Sequence, residues 1–193
     1  MNRYSIREFS DGPFLVLRAR HIDERGSFEM AFEFEEIRTQ VADFPDIQQI
    51  NLLHGLEGSI RGLHYSEVDE NHWKVITPIS GRVRDAFLDL RNLSDTFGLA
   101  GYIDLTPEDR ISVVIPPGFA HGVQTLSQSS VTVYGTNISY KNNKEKAINP
   151  MHSGLDQIWK NSRLLSQRDL QAPDFPGSTE IFKVTGANWG VEK

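Results

Sequence analysis

Short apolar segments, separated by turn residues, are the feature that most constrains what this chain folds into. The segments are rich in β-branched and aromatic residues, and they occupy residues 13–23, 46–54, 59–66, 74–91, 101–106, 110–118, 120–127 and 130–140. Regular short strands with turn signals between them are typical of an antiparallel sandwich or barrel. The pattern predicts an all-β double-sheet jelly roll, with tight turns of the sheet at "SGR" (80–82) and "PPG" (116–118).

Helical patterns are few and peripheral in this sequence. The clearest is "EFEEIRTQ" (33–40), and short helical pieces are expected after residue 150. From residue 141 onward, "KNNKEK" and "QAPDFPGS" predict loops wrapped on the β core. No repeat, low-complexity tract or linker divides the chain, so we expect one domain over residues 1–193.

Charge and cysteine content exclude several classes of function. The net charge of −6 argues against general binding of nucleic acid or acidic membranes, but it leaves room for a local basic pocket. With no cysteine, the chain has no disulfide, no thiolate nucleophile and no cysteine-ligated zinc. It also has no apolar run of leader-peptide or membrane-spanning length. We therefore expect a cytoplasmic protein with no membrane partner.

The polar residues do not match the common metal or nucleophile patterns. Six histidines, at positions 21, 54, 64, 72, 121 and 152, form no closely spaced pair of the His-x-His kind. Such a pair with a carboxylate is the usual signature of a metal site in a jelly roll. A Gly-x-Ser-x-Gly elbow and a glycine-rich phosphate loop are also missing from the sequence. We expect no metal site.

One polar stretch, "RGLHYSEVDENHWK" (61–74), lies among the predicted strands. Any one such residue is more often a packing or surface residue than a functional one. Several of them in the strands of a cavity-forming fold indicate a site. Strict alternation would place Arg61 and His64 on opposite faces of one strand unless a bulge intervenes.

Six blocks of sequence resemble a known family, the nucleotide-sugar 3,5-epimerases, in their order and approximate spacing. The resemblance extends from about residue 10 to residue 175. It implies a cupin-type jelly roll, generally a homodimer, that works without metal or organic cofactor. The blocks are "DERGSF" (23–28), "QIN" (49–51), "RGLHY" (61–65), "ISGRVRDAFLDLRNLSDTFG" (79–98), "IPPGFAHGV" (115–123) and "SQRDLQAP" (166–173).

The resemblance also implies roles for individual residues. His64 matches the catalytic base, and Asp169 matches the aspartate that orients it. Lys74 matches the lysine near the keto oxygen of the sugar, and Tyr134 the general acid on the opposite face. The implied substrate is a nucleoside-diphosphate 4-keto-6-deoxy sugar, inverted at C3, at C5 or at both. The implied substrate-binding residues are Arg25, Phe28, Gln49, Asn51, Arg61, His121 and Tyr140.

The chemistry of such a reaction needs these residue types. A ketone at C4 acidifies the protons on C3 and C5, and a neutral imidazole removes such a proton near neutral pH. A carboxylate partner fixes the imidazole tautomer and stabilises the imidazolium that forms. The enolate oxygen then needs a cation, and inversion needs a separate acid on the other face. Arginines suit the diphosphate because a guanidinium bonds phosphate oxygens in pairs.

Three positions depart from the family pattern. Met30 replaces a nucleotide-contacting glutamate, Ser66 replaces a glutamine that commonly follows "RGLHY", and His152 replaces an aspartate. These positions bear on the nucleotide and the outer wall of the pocket, while the predicted base, its aspartate, the lysine and the tyrosine are retained. Two alternatives to an epimerase stay open: a nucleotide-sugar 3,4-ketoisomerase and a non-catalytic cupin that only binds a sugar nucleotide.

Overall fold

Two large β-sheets and one small hairpin form the body of the molecule. The computed structural model describes residues 2–6, 9, 12–67, 71–142, 144–160, 163–185 and 189–191. Its strands are β1 (Asn2–Ile6), β2 (Phe14–Leu17), β3 (Arg20–Asp23), β4 (Gly26–Glu29), β5 (Gln49–Leu56), β6 (Ile60–Tyr65), β7 (Lys74–Ser80), β8 (Val83–Asp89), β9 (Leu99–Leu105), β10 (Ile111–Ile115), β11 (Phe119–Thr125), β12 (Ser129–Thr136), β13 (Lys146–Ala147), β14 (Glu180–Lys183) and β15 (Trp189–Val191).

The strand order confirms the predicted double-sheet jelly roll. One sheet has seven strands in the order β15-β1-β2-β10-β7-β12-β5, and the other has six in the order β13-β6-β11-β8-β9-β14. Among the described strands, β3 and β4 pair with each other and with no other, as a separate hairpin. Every pairing is antiparallel except that of β14 with β9. Edge strand β5 belongs to the seven-stranded sheet, and β6 lies near the edge of the other.

The predicted helix is confirmed, and the C-terminal prediction is partly wrong. Helix α1 spans Phe34–Gln40, and a second short helix, α2, spans Gln167–Leu170. The region after residue 141, predicted as loops, contributes β13 and β14 to the six-stranded sheet and β15 to the seven-stranded one. These strands are short and pair at sheet edges, so they lack the long alternating pattern on which a strand prediction depends.

The two predicted tight turns join different sheets, which corrects the expectation that both interrupt a single sheet. The turn at 80–82 leads from β7 in the seven-stranded sheet to β8 in the six-stranded sheet. The turn at 116–118 leads from β10 to β11 in the same way. Gly81 and Gly118 have φ values of 74° and 88°, in the left-handed region that favours glycine. The chain therefore changes sheet at these turns, and the predicted strand 13–23 likewise divides into β2 and β3.

The core lies between the sheets and extends onto the outer face of the larger one. Leu15 and Ile76 from the seven-stranded sheet pack with Phe87 and Val123 from the six-stranded sheet. On the outer face, α1 covers a second buried cluster in which Trp73 packs edge-on against Phe44, with ring centroids 5.7 Å apart. The space between the two sheets that this core leaves unfilled can form a cavity.

A bulge in β6 places two successive polar residues of the "RGLHY" block on one wall. His64 lies opposite His121 of β11, and Arg61 lies opposite Val123. Between these two pairs β6 advances by three residues and β11 by two, so β6 contains one extra residue. This irregularity changes which face the following side chains take. Gly62, with φ of 127°, lies inside the bulge. The bulge resolves the conflict that strict alternation raised.

Replacing Gly62 with alanine tests how tightly the bulge is packed. A Cβ at position 62 would lie 2.5 Å from the Cα of Gly122 and 2.7 Å from the carbonyl oxygen of His121, both backbone atoms. Gly26 is a matched control, because it has the same φ of 127° but a Cβ there meets nothing within 4 Å. Both alanine variants carry backbone strain, and we expect Gly62→Ala to cost at least about 2 kcal/mol more. Urea unfolding measures the difference, and equal losses would contradict this account.

Candidate active site

A cavity of about 530 Å³ opens between the two sheets. Seven of the eleven predicted site residues line it: His64, Asp169, Tyr134, Lys74, Arg61, His121 and Tyr140. Apolar side chains such as Leu53, Ile76 and Val123 form the rest of the inner wall. A mostly apolar cavity with a few convergent polar groups is the usual form of a small-molecule site.

His64 and Asp169 form a directly hydrogen-bonded pair on one wall. The Nε2 atom of His64 lies 2.7 Å from Oδ1 of Asp169, which is buried. Burial alone would raise the pKa of Asp169, but the hydrogen bond from His64 and the contact with Ser166 lower it below its ordinary value. An ionised carboxylate only accepts hydrogen bonds, so Nε2 carries a proton, and in the neutral ring the lone pair is then on Nδ1. The pair therefore presents Nδ1 as the basic atom.

Asp169 is held in place by its own helix. It lies in α2, and its backbone N–H donates to the Oγ atom of Ser166, the N-cap residue, at 3.1 Å. Serine caps short helices in this way because its oxygen satisfies an N–H group that has no partner inside the helix. The motif "SQRD" thus encodes both the cap and the carboxylate that meets His64.

Tyr134 contributes the opposite wall. It lies on β12 in the seven-stranded sheet, whereas His64 lies on β6 in the six-stranded sheet. Burial, reinforced by the negative charge of Glu145, raises the pKa of Tyr134 above 10.0, although Arg61 opposes the shift. The phenol therefore keeps its proton at neutral pH, as a proton donor must.

Lys74 and Glu145 form an ion pair beside the base. The Nζ atom of Lys74 lies 2.7 Å from Oε1 of Glu145, and Oε2 of Glu145 lies 3.5 Å from Nδ1 of His64. Burial would raise the pKa of Glu145, but the charges of Lys74 and His64 lower it below 4.5. Glu145 is thus an anion that contacts both the predicted base and the predicted enolate-stabilising cation.

A second histidine–carboxylate pair includes His121, which lines the same cavity. Nε2 of His121 lies 2.9 Å from Oδ2 of Asp85, and both residues are buried. The other oxygen of Asp85 has no hydrogen-bond partner within the described part of the chain. The pairing fixes the imidazole orientation, so that its remaining nitrogen is available to a bound molecule.

Of the other predicted nucleotide contacts, Arg61 and Tyr140 line the cavity, whereas Gln49 and Asn51 do not. Arg61 is exposed and donates through Nη2 to the backbone oxygen of His54 at 3.2 Å. Gln49 donates to Asn51 at 2.7 Å and accepts from the backbone N–H of Tyr140 at 2.9 Å. Tyr140 lies in a 3-10 turn (Tyr140–Asn142), past the end of β12 rather than within it as the predicted strand 130–140 implied.

Arg25 and Phe28 do not reach the cavity of their own chain. Both belong to the separate β3–β4 hairpin region, and their exposed fractions are 83% for the Arg25 side chain and 64% for Phe28. Arg25 pairs with its neighbour Asp23, at 2.5 Å between Nη2 and Oδ2. That Arg25 and Phe28 contact substrate stays a prediction.

Glu145 and Asp85 were not predicted from the sequence. Asp85 had a usable signal, because a charged residue inside the apolar strand "VRDAFLD" needs a buried partner. Glu145 had none, since "KNNKEK" is a run of charges typical of a solvated loop. Its role depends on where the loop folds relative to β6 and β7.

The described residues contain neither a metal-binding cluster nor a helix that could cross a membrane. No group of three or more histidine, aspartate or glutamate side chains in this part of the chain is arranged to hold a metal ion. None of the helices in the same residues is both long and apolar enough to cross a membrane.

Comparison with known proteins shows the same family over most of the chain. The sequence profile of the family described as dTDP-4-dehydrorhamnose 3,5-epimerase matches residues 10–176. An enzyme of that name from Mycobacterium tuberculosis (strain CDC 1551 / Oshkosh) is 30% identical over 168 residues, which cover 85% of this chain and 83% of the relative. A dTDP-4-dehydro-6-deoxyglucose 3-epimerase from Streptomyces sp. is 30% identical over 156 residues, covering 79% of each protein.

A solved structure has the same fold. It is the dTDP-6-deoxy-D-glucose-3,5-epimerase from Legionella pneumophila Philadelphia 1 in complex with dTDP-4-keto-L-rhamnose. The TM-score is 0.80 with 26% sequence identity, and the match covers 89% of this chain and 91% of the other. Together with the matched sequence profile, this likeness supports the cupin-type jelly roll predicted from the sequence.

Replacing Glu145 with glutamine tests the buried ion pair. At pH 7 we expect the variant to lose about 2 kcal/mol of unfolding free energy, because Lys74 keeps its charge in a largely buried place without its partner. As pH falls below 4.5, wild-type Glu145 also takes up a proton, so the gap between the two proteins should narrow. Denaturant unfolding at several pH values measures this gap.

The matched control is Glu67→Gln, which breaks the exposed Glu67–Lys146 pair. Exposed pairs contribute less than about 1 kcal/mol. A loss in Glu145→Gln no larger than that of the control would contradict a structural role for the Lys74–Glu145 pair.

Proposed function

The chain belongs to the dTDP-4-dehydrorhamnose 3,5-epimerase family, and we propose that it inverts a nucleoside-diphosphate 4-keto-6-deoxy sugar with His64 as base and Tyr134 as acid. The observation that carries this assignment of roles is the placement of the two groups on opposing sheets with one cavity between them. Inversion at carbon needs a proton removed from one face and another delivered to the opposite face.

The proposed proton transfers need only side chains on the two walls of the cavity and exchange with solvent. His64 takes the proton from the carbon next to the C4 ketone through Nδ1, and the C–H electron pair forms the enolate. The ammonium of Lys74 stabilises the negative oxygen at C4, while Asp169 and Glu145 stabilise the imidazolium. Tyr134 then delivers its phenolic proton to the opposite face of the same carbon. Proton exchange with solvent returns the imidazolium and the phenolate to their starting states.

Substrate binding divides between a sugar end and a nucleotide end. His121, oriented by Asp85, is placed to contact a sugar oxygen deep in the cavity. Arg61 lies at the open side and suits the diphosphate, because a guanidinium fork matches phosphate oxygens. Met30 replaces a carboxylate that the family resemblance implies, so we propose that the contacts selecting the nucleotide base differ here.

The number of carbons inverted follows from proton exchange in D₂O. With a nucleoside-diphosphate 4-keto-6-deoxy sugar, we expect deuterium to enter at C3 and C5, as NMR or mass spectrometry would show. Entry at C3 alone would make the chain a 3-epimerase, like the Streptomyces relative by name. Migration of the keto group would favour the ketoisomerase, and no exchange at all would leave only binding and overturn the proposal.

Two variants separate the base from the acid. His64→Ala should lower exchange at every carbon by about 10²–10⁴, because no proton leaves without the base. Tyr134→Phe should impair inversion and keep measurable exchange, since removal from the base's side still occurs. Tyr102→Phe is a matched control, because Tyr102 stacks with Arg84 at 4.0 Å and does not line the cavity, and it should behave as wild type. Equal loss of exchange in the first two variants would contradict a separate acid.

We propose further that the working unit is a homodimer in which each hairpin completes the partner's cavity. Arg25 and Phe28 are largely exposed on a hairpin that pairs with neither large sheet. The outer face of edge strand β5 also exposes a row of large apolar side chains. An exposed apolar row of this kind is typical of a protein–protein interface. The row is Ile50, Leu52 and Leu56.

Mixing two inactive variants tests this shared site. If Arg25 serves the partner's cavity, heterodimers of Arg25→Ala and His64→Ala contain one site with both residues intact. Random subunit exchange should then restore roughly one quarter of the wild-type rate per protomer, since half the dimers are mixed and each has one intact site. If Arg25 serves its own chain, no mixed dimer has an intact site and activity stays at the level of the separate variants.

A further inference from the structure

The buried residue His72 is not used by the chemistry above, yet both its ring nitrogens are hydrogen-bonded. Nδ1 lies 2.8 Å from the Oγ atom of Ser66, and Nε2 lies 2.7 Å from the Oγ1 atom of Thr136. All three residues are buried. The three side chains form a continuous chain of hydrogen bonds, which we call the Ser66–His72–Thr136 bridge.

The imidazole in this bridge is neutral at physiological pH. Burial, followed by the positive charge of Lys74, lowers the pKa of His72 from 6.5 to about 4, against the opposing charge of Glu145. A neutral imidazole has one N–H donor and one lone-pair acceptor. Each hydroxyl can donate or accept, so the two hydroxyls satisfy both nitrogens with no charge left over.

Each member of the bridge is two residues from a group on which the proposed reaction depends. Ser66 follows His64 by two, His72 precedes Lys74 by two, and Thr136 follows Tyr134 by two. Thr136 is also the cross-strand neighbour of Lys74 in the pairing of β12 with β7. Ser66 directly follows β6 of the six-stranded sheet, whereas Thr136 ends β12 of the seven-stranded sheet. The bridge therefore connects the two walls beside the reacting groups.

Trp73, which lies between His72 and Lys74, fixes the same segment from the outer face of the seven-stranded sheet. Trp73 packs on the outer face of the seven-stranded sheet, and its backbone N–H donates to the side chain of Asn137 at 2.8 Å. Its indole N–H donates to Asn71 at 2.9 Å. Outer packing by Trp73 and inner bonding by His72 leave this segment little freedom to move relative to either sheet.

We infer that the Ser66–His72–Thr136 bridge is a positioning device that sets the gap between the base wall and the acid wall. This inference rests on the proposed function. Proton removal needs only the base wall, whereas inversion needs both walls at the correct separation. A change in the gap should therefore lower inversion far more than proton exchange, because small misplacements of reacting groups are costly.

A merely structural role predicts a different result. The loss of any buried hydrogen bond lowers stability, and it would lower both measured rates together through the folded fraction. The ratio of inversion to deuterium incorporation is independent of the folded fraction, since both come from the same folded molecules. That ratio is the quantity to measure, in D₂O with a nucleoside-diphosphate 4-keto-6-deoxy sugar.

Thr136→Val and Thr77→Val form a matched pair for this test. Thr136→Val removes one hydroxyl of the bridge and keeps the shape of the side chain. Thr77 lies in the same sheet and is equally buried, but its hydroxyl bonds Ser112 of that sheet at 2.6 Å and the backbone oxygen of Ala31 at 3.3 Å, and neither contact reaches the six-stranded sheet. We expect Thr136→Val to lower the ratio at least about tenfold. Thr77→Val should lose stability and keep the wild-type ratio.

Two substitutions of His72 test the bonding itself. Glutamine has a donor and an acceptor at its tip and can join the two hydroxyls, whereas leucine fills similar space without hydrogen bonds. We expect His72→Gln to keep most of the wild-type ratio and His72→Leu to lose it, with KM changed little in either. If His72→Leu does not fold, the threonine pair still decides the question.

The outcomes separate this inference from the proposed function. If the wild type exchanges and inverts, and Thr136→Val has the same ratio as Thr77→Val, the bridge sets no gap and this inference alone fails. If the wild type incorporates no deuterium from any 4-keto sugar, the proposed function fails instead. A ratio lowered in Thr136→Val and His72→Leu, and kept in Thr77→Val and His72→Gln, would support both.

Discussion

The close approach of two backbones, at Gly62 on β6 and Gly122 on β11, is the constraint on which the base wall depends. A Cβ on either glycine would meet backbone atoms of the other strand at 2.5 to 3.0 Å. Without side chains there, β6 accommodates an extra residue against β11, and the side chains after the bulge take the opposite face. Arg61 and His64 therefore share one cavity. A regular strand would send one of them to the outside.

Charge is balanced locally in a protein whose net charge is −6. Each carboxylate at the cavity has a partner from another element: Asp169 with His64, and Glu145 with Lys74. Arg61 differs, because among the described residues it bonds only a neutral backbone oxygen. The guanidinium of Arg61 is therefore a positive charge at the open side that no carboxylate of the described residues cancels.

The parts of this structure that depend on local pattern could be predicted from the sequence. Alternating apolar strands and turn residues were enough for the double-sheet jelly roll, and the helical pattern of residues 33–40 was enough for helix α1. The sheet that each strand enters could not be predicted, because the turns at 80–82 and 116–118 look like hairpin turns and in fact join different sheets. Strand assignment depends on contacts between distant residues, and a short turn motif contains no information about them.

The candidate site was likewise predicted only in part from the sequence. The motif resemblance predicted the His64–Asp169 contact, which joins residues 105 positions apart, and the hydrogen bond is confirmed. Glu145 was missed because its neighbours in sequence are charged and solvated, whereas its partners in space are His64 and Lys74.

The stretch from Arg61 to Lys74 begins in β6 of the six-stranded sheet and ends in β7 of the seven-stranded sheet, so its two ends belong to the two walls of the cavity. An enzyme that only removes a proton needs one wall, but inversion needs two walls at a fixed separation. Ser66 stands where the family resemblance implies a longer glutamine. Its hydroxyl is joined to β12 through His72, which contacts Thr136. The short serine and the buried histidine are therefore parts of one arrangement, in which a departure from the family pattern at one position is matched by a residue six positions later.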